Sequence, residues 1–84
     1  MPGEIEILYT EEFQKDVRKI RDSLIRIRIK KLIGRLTENP NLGKPLKYEL
    51  SGFRSLRIKP FRLIYEFKNN QIILHKFEHR DEVY

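Results

Sequence analysis

Leu56-Arg57-Ile58-Lys59-Pro60-Phe61-Arg62-Leu63-Ile64-Tyr65-Glu66-Phe67-Lys68-Asn69-Asn70-Gln71-Ile72-Ile73-Leu74-His75-Lys76-Phe77 is the stretch that decides the fold. Successive side chains of a strand point to opposite faces, so the alternation in Leu56 to Lys59, and again in Phe61 to Phe67, marks two half-buried strands. Pro60 separates them, because proline cannot donate to a ladder. Lys68-Asn69-Asn70-Gln71 reads as a hairpin, since asparagine tolerates the left-handed backbone of tight turns, and Ile72 to Phe77 returns as a third strand. The second half of the chain is therefore expected to be an antiparallel meander.

Upstream, Glu4-Ile5-Glu6-Ile7-Leu8-Tyr9 alternates polar and apolar residues and predicts one more strand. Thr10 stands where a helix N-cap belongs, with Glu11 and Glu12 near the positive end of the helix dipole. Phe13, Val17 and Ile20 then form one apolar stripe, giving a helix over about residues 11 to 20. Asp22 and Ser23 offer a second cap, and Ile25, Ile29, Leu32, Ile33 and Leu36 repeat at helical spacing until Glu38-Asn39-Pro40 stops the pattern. The opposite side of that helix carries Arg26, Arg28, Lys30, Lys31 and Arg35, which reads first as a solvated face. Asn39 to Leu50 is rich in Pro, Gly, Asn and Lys and predicts an irregular loop. The order is β-α-α-β-β-β. Two amphipathic helices need a common surface for their stripes, so the expected fold is α+β, with both helices on one face of a small antiparallel sheet, in a single domain over residues 1–84.

Composition narrows the chemistry. The 84 residues carry a formal charge of +6, and 36% are charged, so the surface attracts polyanions such as RNA, DNA or an acidic protein. Cysteine is absent, which excludes disulfides, zinc-thiolate sites and thiol nucleophiles. No apolar run approaches the ~20 residues of a membrane span. The opening Met-Pro-Gly-Glu lacks the features of a signal peptide, and the expected location is the cytoplasm.

Standard catalytic templates are missing: there is no Gly-rich phosphate loop, no G-x-S-x-G and no His-Glu-x-x-His. No metal site or other cofactor is expected. His75 and His79, four apart in a strand, would lie on one side about 13 Å from each other, too far to share an ion. His75 reads as a half-buried structural histidine, whereas His79 is a candidate proton shuttle. Arg57 and Arg62 belong to the face of the meander that the helices leave uncovered, with Arg80 just past the last strand. Cations gathered there suit a nucleic-acid backbone, with Phe53 and Tyr84 as nearby rings for unpaired bases, while Phe61, alternating with Arg62, reads as core.

The segment Gly43-Lys44-Pro45-Leu46-Lys47-Tyr48-Glu49-Leu50-Ser51-Gly52-Phe53-Arg54-Ser55-Leu56-Arg57-Ile58, then Phe61-Arg62-Leu63-Ile64-Tyr65, then the ending His79-Arg80-Asp81-Glu82-Val83-Tyr84, resembles the RelE/ParE superfamily of toxins, in particular its RelE and YoeB branches. The shared pattern is L-x-G-x-x-S-x-R-I, R-L-I-Y and H-R-x-x-x-Y. The resemblance implies a type II toxin held in a hetero-oligomer by a RelB-like antitoxin. It also implies a metal-independent endoribonuclease that cuts mRNA in the ribosomal A site, using the transcript's own 2′-hydroxyl. Carried over by position, Arg57, Arg62, Arg80 and Tyr84 are the expected catalytic residues, with His79 as acid or base; Lys47, Arg54 and Lys59 would contact ribosomal RNA or mRNA. The glutamate that the YoeB branch places before the second strand has no counterpart in Lys44-Pro45-Leu46, and this chain has Ser55 and Arg57 on the strand where the RelE branch uses lysines. The alternative implied by the same superfamily is a ParE-like toxin that poisons DNA gyrase by binding; a plain RNA-binding module is a third.

Overall fold

A computed structural model describes residues 4–79. Strand β1 (Glu6–Tyr9) leads into helix α1 (Glu11–Arg18) and helix α2 (Ser23–Glu38). A short strand β2 (Lys44–Pro45) and one 3₁₀ turn (Tyr48–Leu50) interrupt the expected loop, and β3 (Phe53–Ile58), β4 (Phe61–Lys68) and β5 (Gln71–His79) follow. The sheet has five strands in the order β1-β5-β4-β3-β2.

Local chemistry sets the boundaries. Thr10 Oγ1 accepts a hydrogen bond from Phe13 N at 3.1 Å, capping α1, and donates to Leu74 O at 2.8 Å, which ties the cap to β5. Asp22 caps α2 by accepting from Leu24 N at 2.9 Å. Arg26 Nε donates to Ile20 O at 2.7 Å and its Nη2 to Val17 O, tying the first turn of α2 to the end of α1 and the turn that follows it. Asn69 and Asn70 both have positive φ, 52° and 60°, the turn that matches the twist of the flanking strands.

The helices pack on one face of the sheet. Phe13, Ile20, Ile25, Ile29, Leu32 and Leu36 meet Ile58, Leu63, Tyr65, Ile72, Leu74 and Phe77 in a single buried cluster. Two details depart from the expectation. The sheet is mixed rather than antiparallel, because the meander ends with β5 running in the direction of β1, and β1 pairs with its open edge in parallel. Alternation marks strands but carries no information on direction. Second, the β4–β5 ladder shifts register between Ile64 and Tyr65: Ile64 pairs with Lys76 but Tyr65 pairs with Leu74, so His75 is an extra residue, a β-bulge.

Tyr65 fixes the approach to β2. Its fully buried side chain donates from the hydroxyl to Pro40 O at 2.8 Å and accepts there from Gly43 N at 2.8 Å, so both loop groups are paired in the interior. Burial pushes the Tyr65 phenol above its ordinary value, against the lowering influence of the Gly43 amide and the Arg54 charge, and keeps it a neutral donor. None of the described helices is long and apolar enough to cross a membrane.

Candidate functional site

Register brings two of the expected residues together. Arg57 on β3 stands directly opposite Arg62 on β4, and Arg62 stands opposite Glu78 on β5. Leu56 and Leu63, the adjacent pair, face the helices, so this Arg57-Arg62-Glu78 row lies on the uncovered face. Side chains directly opposed on neighbouring strands have Cβ atoms about 5 Å apart, and two like charges there destabilise a sheet. Glu78 offsets part of that repulsion: its Oε2 accepts from Arg62 Nε and lies 2.8 Å from Nη2. Arg57, by contrast, is exposed. Such a pair is a poor choice for stability and a good one for gripping an anion.

Shallow hollows run along this row. One of about 220 Å³ joins Lys44, Ser55, Arg57 and Arg62. On the other side of Arg62 is one of about 290 Å³, walled by Phe53, Ile64, His75, Lys76 and Glu78. Another, of about 270 Å³, joins Arg57 to Arg28, Lys31 and Arg35 of α2. Part of the helix face that reads as merely solvated is thus continuous with the arginine row. Together these cations form a basic track around the β3 edge, which suits an extended polyanion better than a compact one.

The remaining expected residues separate. His79 pairs with Phe61 and its ring sits 5.2 Å from the Phe61 ring, on the side of the sheet that faces α1, in a hollow with Asp16 and Lys19. It therefore does not join Arg57 and Arg62, and it does not share a side with His75. The bulge at His75 is the reason, since one extra residue inverts the facing of all that follows. Arg54 also turns away from the row: its Nη1 donates to Gly43 O at 2.7 Å and to Asn41 O at 3.3 Å, clamping the loop. Lys47 is exposed before the 3₁₀ turn, and Lys59 is exposed between β3 and β4. Arg80 and Tyr84 lie outside the described residues.

Sequence reading missed Glu78. Continuing the hairpin register from Lys68 opposite Gln71 without a bulge would set Phe77, not Glu78, opposite Arg62. The one signal available was conflict, since Arg62 opposite a core phenylalanine contradicts the alternation. It also missed the pairing of His75, whose Nε2 lies 3.2 Å from Glu66 Oε1 and whose ring packs 4.7 Å from Phe53.

Burial opposes ionisation of Glu66, but hydrogen bonds from His75 and Lys68 and the charges of both outweigh it, so its carboxyl is held below its ordinary value of 4.5. A depressed carboxyl contributes stability that is present above the unfolded value and is lost as pH falls through the folded one. Thermal unfolding followed from about pH 6 to pH 2 should therefore show an acid limb that Glu66→Gln shallows. A Glu66→Gln variant with an unchanged acid limb would show that the carboxylate does not contribute. Among the described residues, no group of three His, Cys, Asp or Glu side chains is placed to hold a metal ion.

Comparison with known proteins extends the picture. Residues 7–84 match the family described as the ParE toxin of the type II toxin–antitoxin system parDE. Toxin RelG of Mycobacterium tuberculosis is 26% identical over 81 residues, spanning 93% of each chain. The M. tuberculosis toxin–antitoxin complex RelBE2 contains a chain that superposes with a TM-score of 0.79 at 25% identity, over 93% of this chain and 100% of that one. In the RelB–RelE antitoxin–toxin complex of Methanococcus jannaschii, the matching chain gives 0.75 at 25% identity, over 89% of this chain and 92% of that one. The YoeB dimer of Staphylococcus aureus shares the fold, with a TM-score of 0.78 at 22% identity over 92% of this chain and 98% of that one.

Proposed function

The chain belongs to the ParE toxin family of type II toxin–antitoxin systems, within the RelE/ParE superfamily, and from this premise we propose that it is a ribosome-dependent, metal-independent mRNA endonuclease. The observation that carries the reading is the opposed pair Arg57 and Arg62, with Glu78 beside it, on the open face of the sheet.

The proposed chemistry needs little else. The 2′-oxygen of the transcript attacks the adjacent phosphorus, the bond to the 5′-oxygen of the next nucleotide breaks, and a 2′,3′-cyclic phosphate and a 5′-hydroxyl result. Negative charge grows on the phosphoryl oxygens during the attack, and the guanidiniums of Arg57 and Arg62 stabilise it where it develops. Glu78 accepts the 2′-hydroxyl proton, since a carboxylate beside the phosphate grip is the acceptor that the row supplies. Arg80 is proposed as a third cation, and Tyr84 as a ring for a base or as the donor of a proton to the departing oxygen. His79, across the sheet, receives no step. Alignment of the strand for in-line attack falls to the ribosome, which explains why so sparse a site would suffice. The proposed setting is the cytoplasm, with a RelB-like antitoxin binding the toxin; RelB accompanies the matching chain in the M. jannaschii complex.

Mapping transcript ends after induction tests the reaction: new ends within codons of translated mRNA are expected, and purified protein should cut programmed ribosomes but hardly touch naked RNA. The matching family's ParE description favours a second reading, poisoning of DNA gyrase. Intact transcripts with arrested replication would establish that reading and overturn the nuclease.

The basic track makes a separate prediction. Each phosphate contact on single-stranded nucleic acid adds about 0.7 to the slope of log affinity against log salt. Replacing Lys31 and Arg35 by glutamine should therefore lower the slope for ribosome binding by roughly 1.4, read from affinities at several salt concentrations. An unchanged slope would return that face to the role of a solvated surface.

A further inference from the structure

The hollow beyond Arg62 has features that a phosphate grip does not need. Its floor is apolar, made by Phe53, Ile64 and Leu50, and at about 290 Å³ it stands at the small end of ligand pockets. An RNA phosphate has no use for such a floor. A planar, aromatic group of nucleobase size does, because every base has a face that stacks on rings and aliphatic surface.

The polar rim is equally particular. His75 is held in one orientation, its Nε2 3.2 Å from Glu66 Oε1 and its ring against Phe53. Lys76 lies 3.5 Å from Glu12, and Glu78 is fixed by Arg62 at 2.8 Å. Donor and acceptor groups thus ring an apolar floor, the arrangement by which proteins read base edges. The wall residue Arg62 is shared with the phosphate grip. A strand whose phosphate rests on Arg62 therefore carries the neighbouring base to this hollow.

We propose that the hollow bounded by Phe53, Ile64, His75, Lys76 and Glu78 is a nucleobase subsite that sets which base is accepted beside the cleaved bond. The proposal rests on the reading that an RNA strand crosses Arg62. Two carboxylates, Glu12 and Glu78, line the hollow as acceptors. Bases that present an amino group fit this rim better than uracil, whose edge offers a single donor. His75 and Phe53 are specificity residues in this role, and neither takes part in bond breaking.

Titration of the full-length protein with AMP, GMP, CMP and UMP, and with ribose 5-phosphate as the base-free probe, tests this, followed by the ring resonances of His75 and Phe53. The nucleotides should shift both rings and ribose 5-phosphate should not, with UMP weaker than the amino-bearing nucleotides by about fivefold or more. Phe53→Leu, which keeps apolar volume but removes the ring, should weaken nucleotide binding by about tenfold. His75→Gln supplies a second variant should Phe53→Leu fail to fold; it should narrow the difference between UMP and the others. Equal shifts with ribose 5-phosphate, or four nucleotides bound alike and unaffected by either substitution, would overturn the subsite. A protein that binds nucleotides as expected but leaves ribosomal mRNA uncut would overturn the nuclease and not the subsite.

Discussion

Arg62→Ala is expected to slow mRNA cleavage on ribosomes by ~10²–10³-fold, the usual cost of removing one donor aimed at developing charge. The expectation follows from where Arg62 sits. It is the centre of the Arg57-Arg62-Glu78 row, and it is shared by the hollows on either side of that row. Its loss removes the guanidinium nearest the proposed base Glu78 and leaves the phosphate without the central cation of the row. The fold should notice little: Arg62 is part-exposed, and the substitution also relieves repulsion with Arg57, so stability should change by no more than about 0.5 kcal/mol. Arg62→Lys separates charge from geometry. Lysine keeps the charge but lacks the planar fork, and should recover only part of the lost rate. Single-turnover cleavage of an mRNA bound to ribosomes measures all three proteins. An alanine variant cutting at the wild-type rate, with an unchanged melting curve, would remove Arg62 from the reaction.

Gly43→Ala should be the most damaging small substitution in the loop. A Cβ at this position would stand 2.7 Å from one Tyr65 ring carbon, 2.8 Å from the Tyr65 hydroxyl and 3.0 Å from Ser55 O. Neither neighbour can move away cheaply: the ring is fully buried, and the carbonyl belongs to β3. Overpacking costs about 1–3 kcal/mol, and disturbing the buried bond from Gly43 N to Tyr65 adds a comparable penalty, giving roughly 2–5 kcal/mol in all. In a domain of this size that is a fall in Tm of roughly 10–30 °C. Activity should fall with it, because Gly43 precedes Lys44, whose side chain lines the hollow of Arg57 and Arg62. Gly34 on α2 provides the contrast: a Cβ there meets nothing within 4 Å, and alanine should stabilise the helix by roughly 0.5–1 kcal/mol. Calorimetry of the two variants checks both signs. Equal melting temperatures would show that the loop yields around Tyr65.

The chain announces its helices and strands because each is written in a local period. Thr10 and Asp22 cap the helices as their chemistry requires, the two asparagines make the turn, and the apolar stripe of α2 buries as spaced. The candidate site was legible only in part, and for a specific reason. Arg57 and Arg62 are separated by one tight connection, so their opposition follows from the first hairpin of the meander. Glu78 is not reachable that way, because its place opposite Arg62 depends on a bulge that the alternation of β5 does not reveal. His79 was misplaced by the same residue. Arg54 illustrates a different failure: its charge reads as a contact for RNA, while two loop carbonyls, distant in sequence, take its guanidinium.

By itself the sequence determined the class of the molecule: a small basic α+β domain with a cation-bearing meander, since composition and periodicity are properties of neighbours along the chain. Which charges meet was decided only by the tertiary structure. A single inserted residue on β5 chooses the face for Glu78 and His79, and the packing of α2 beside β3 extends a pair of arginines into a track. Both are relations between segments far apart in the chain, where facing and distance, not residue type, decide what a side chain can do.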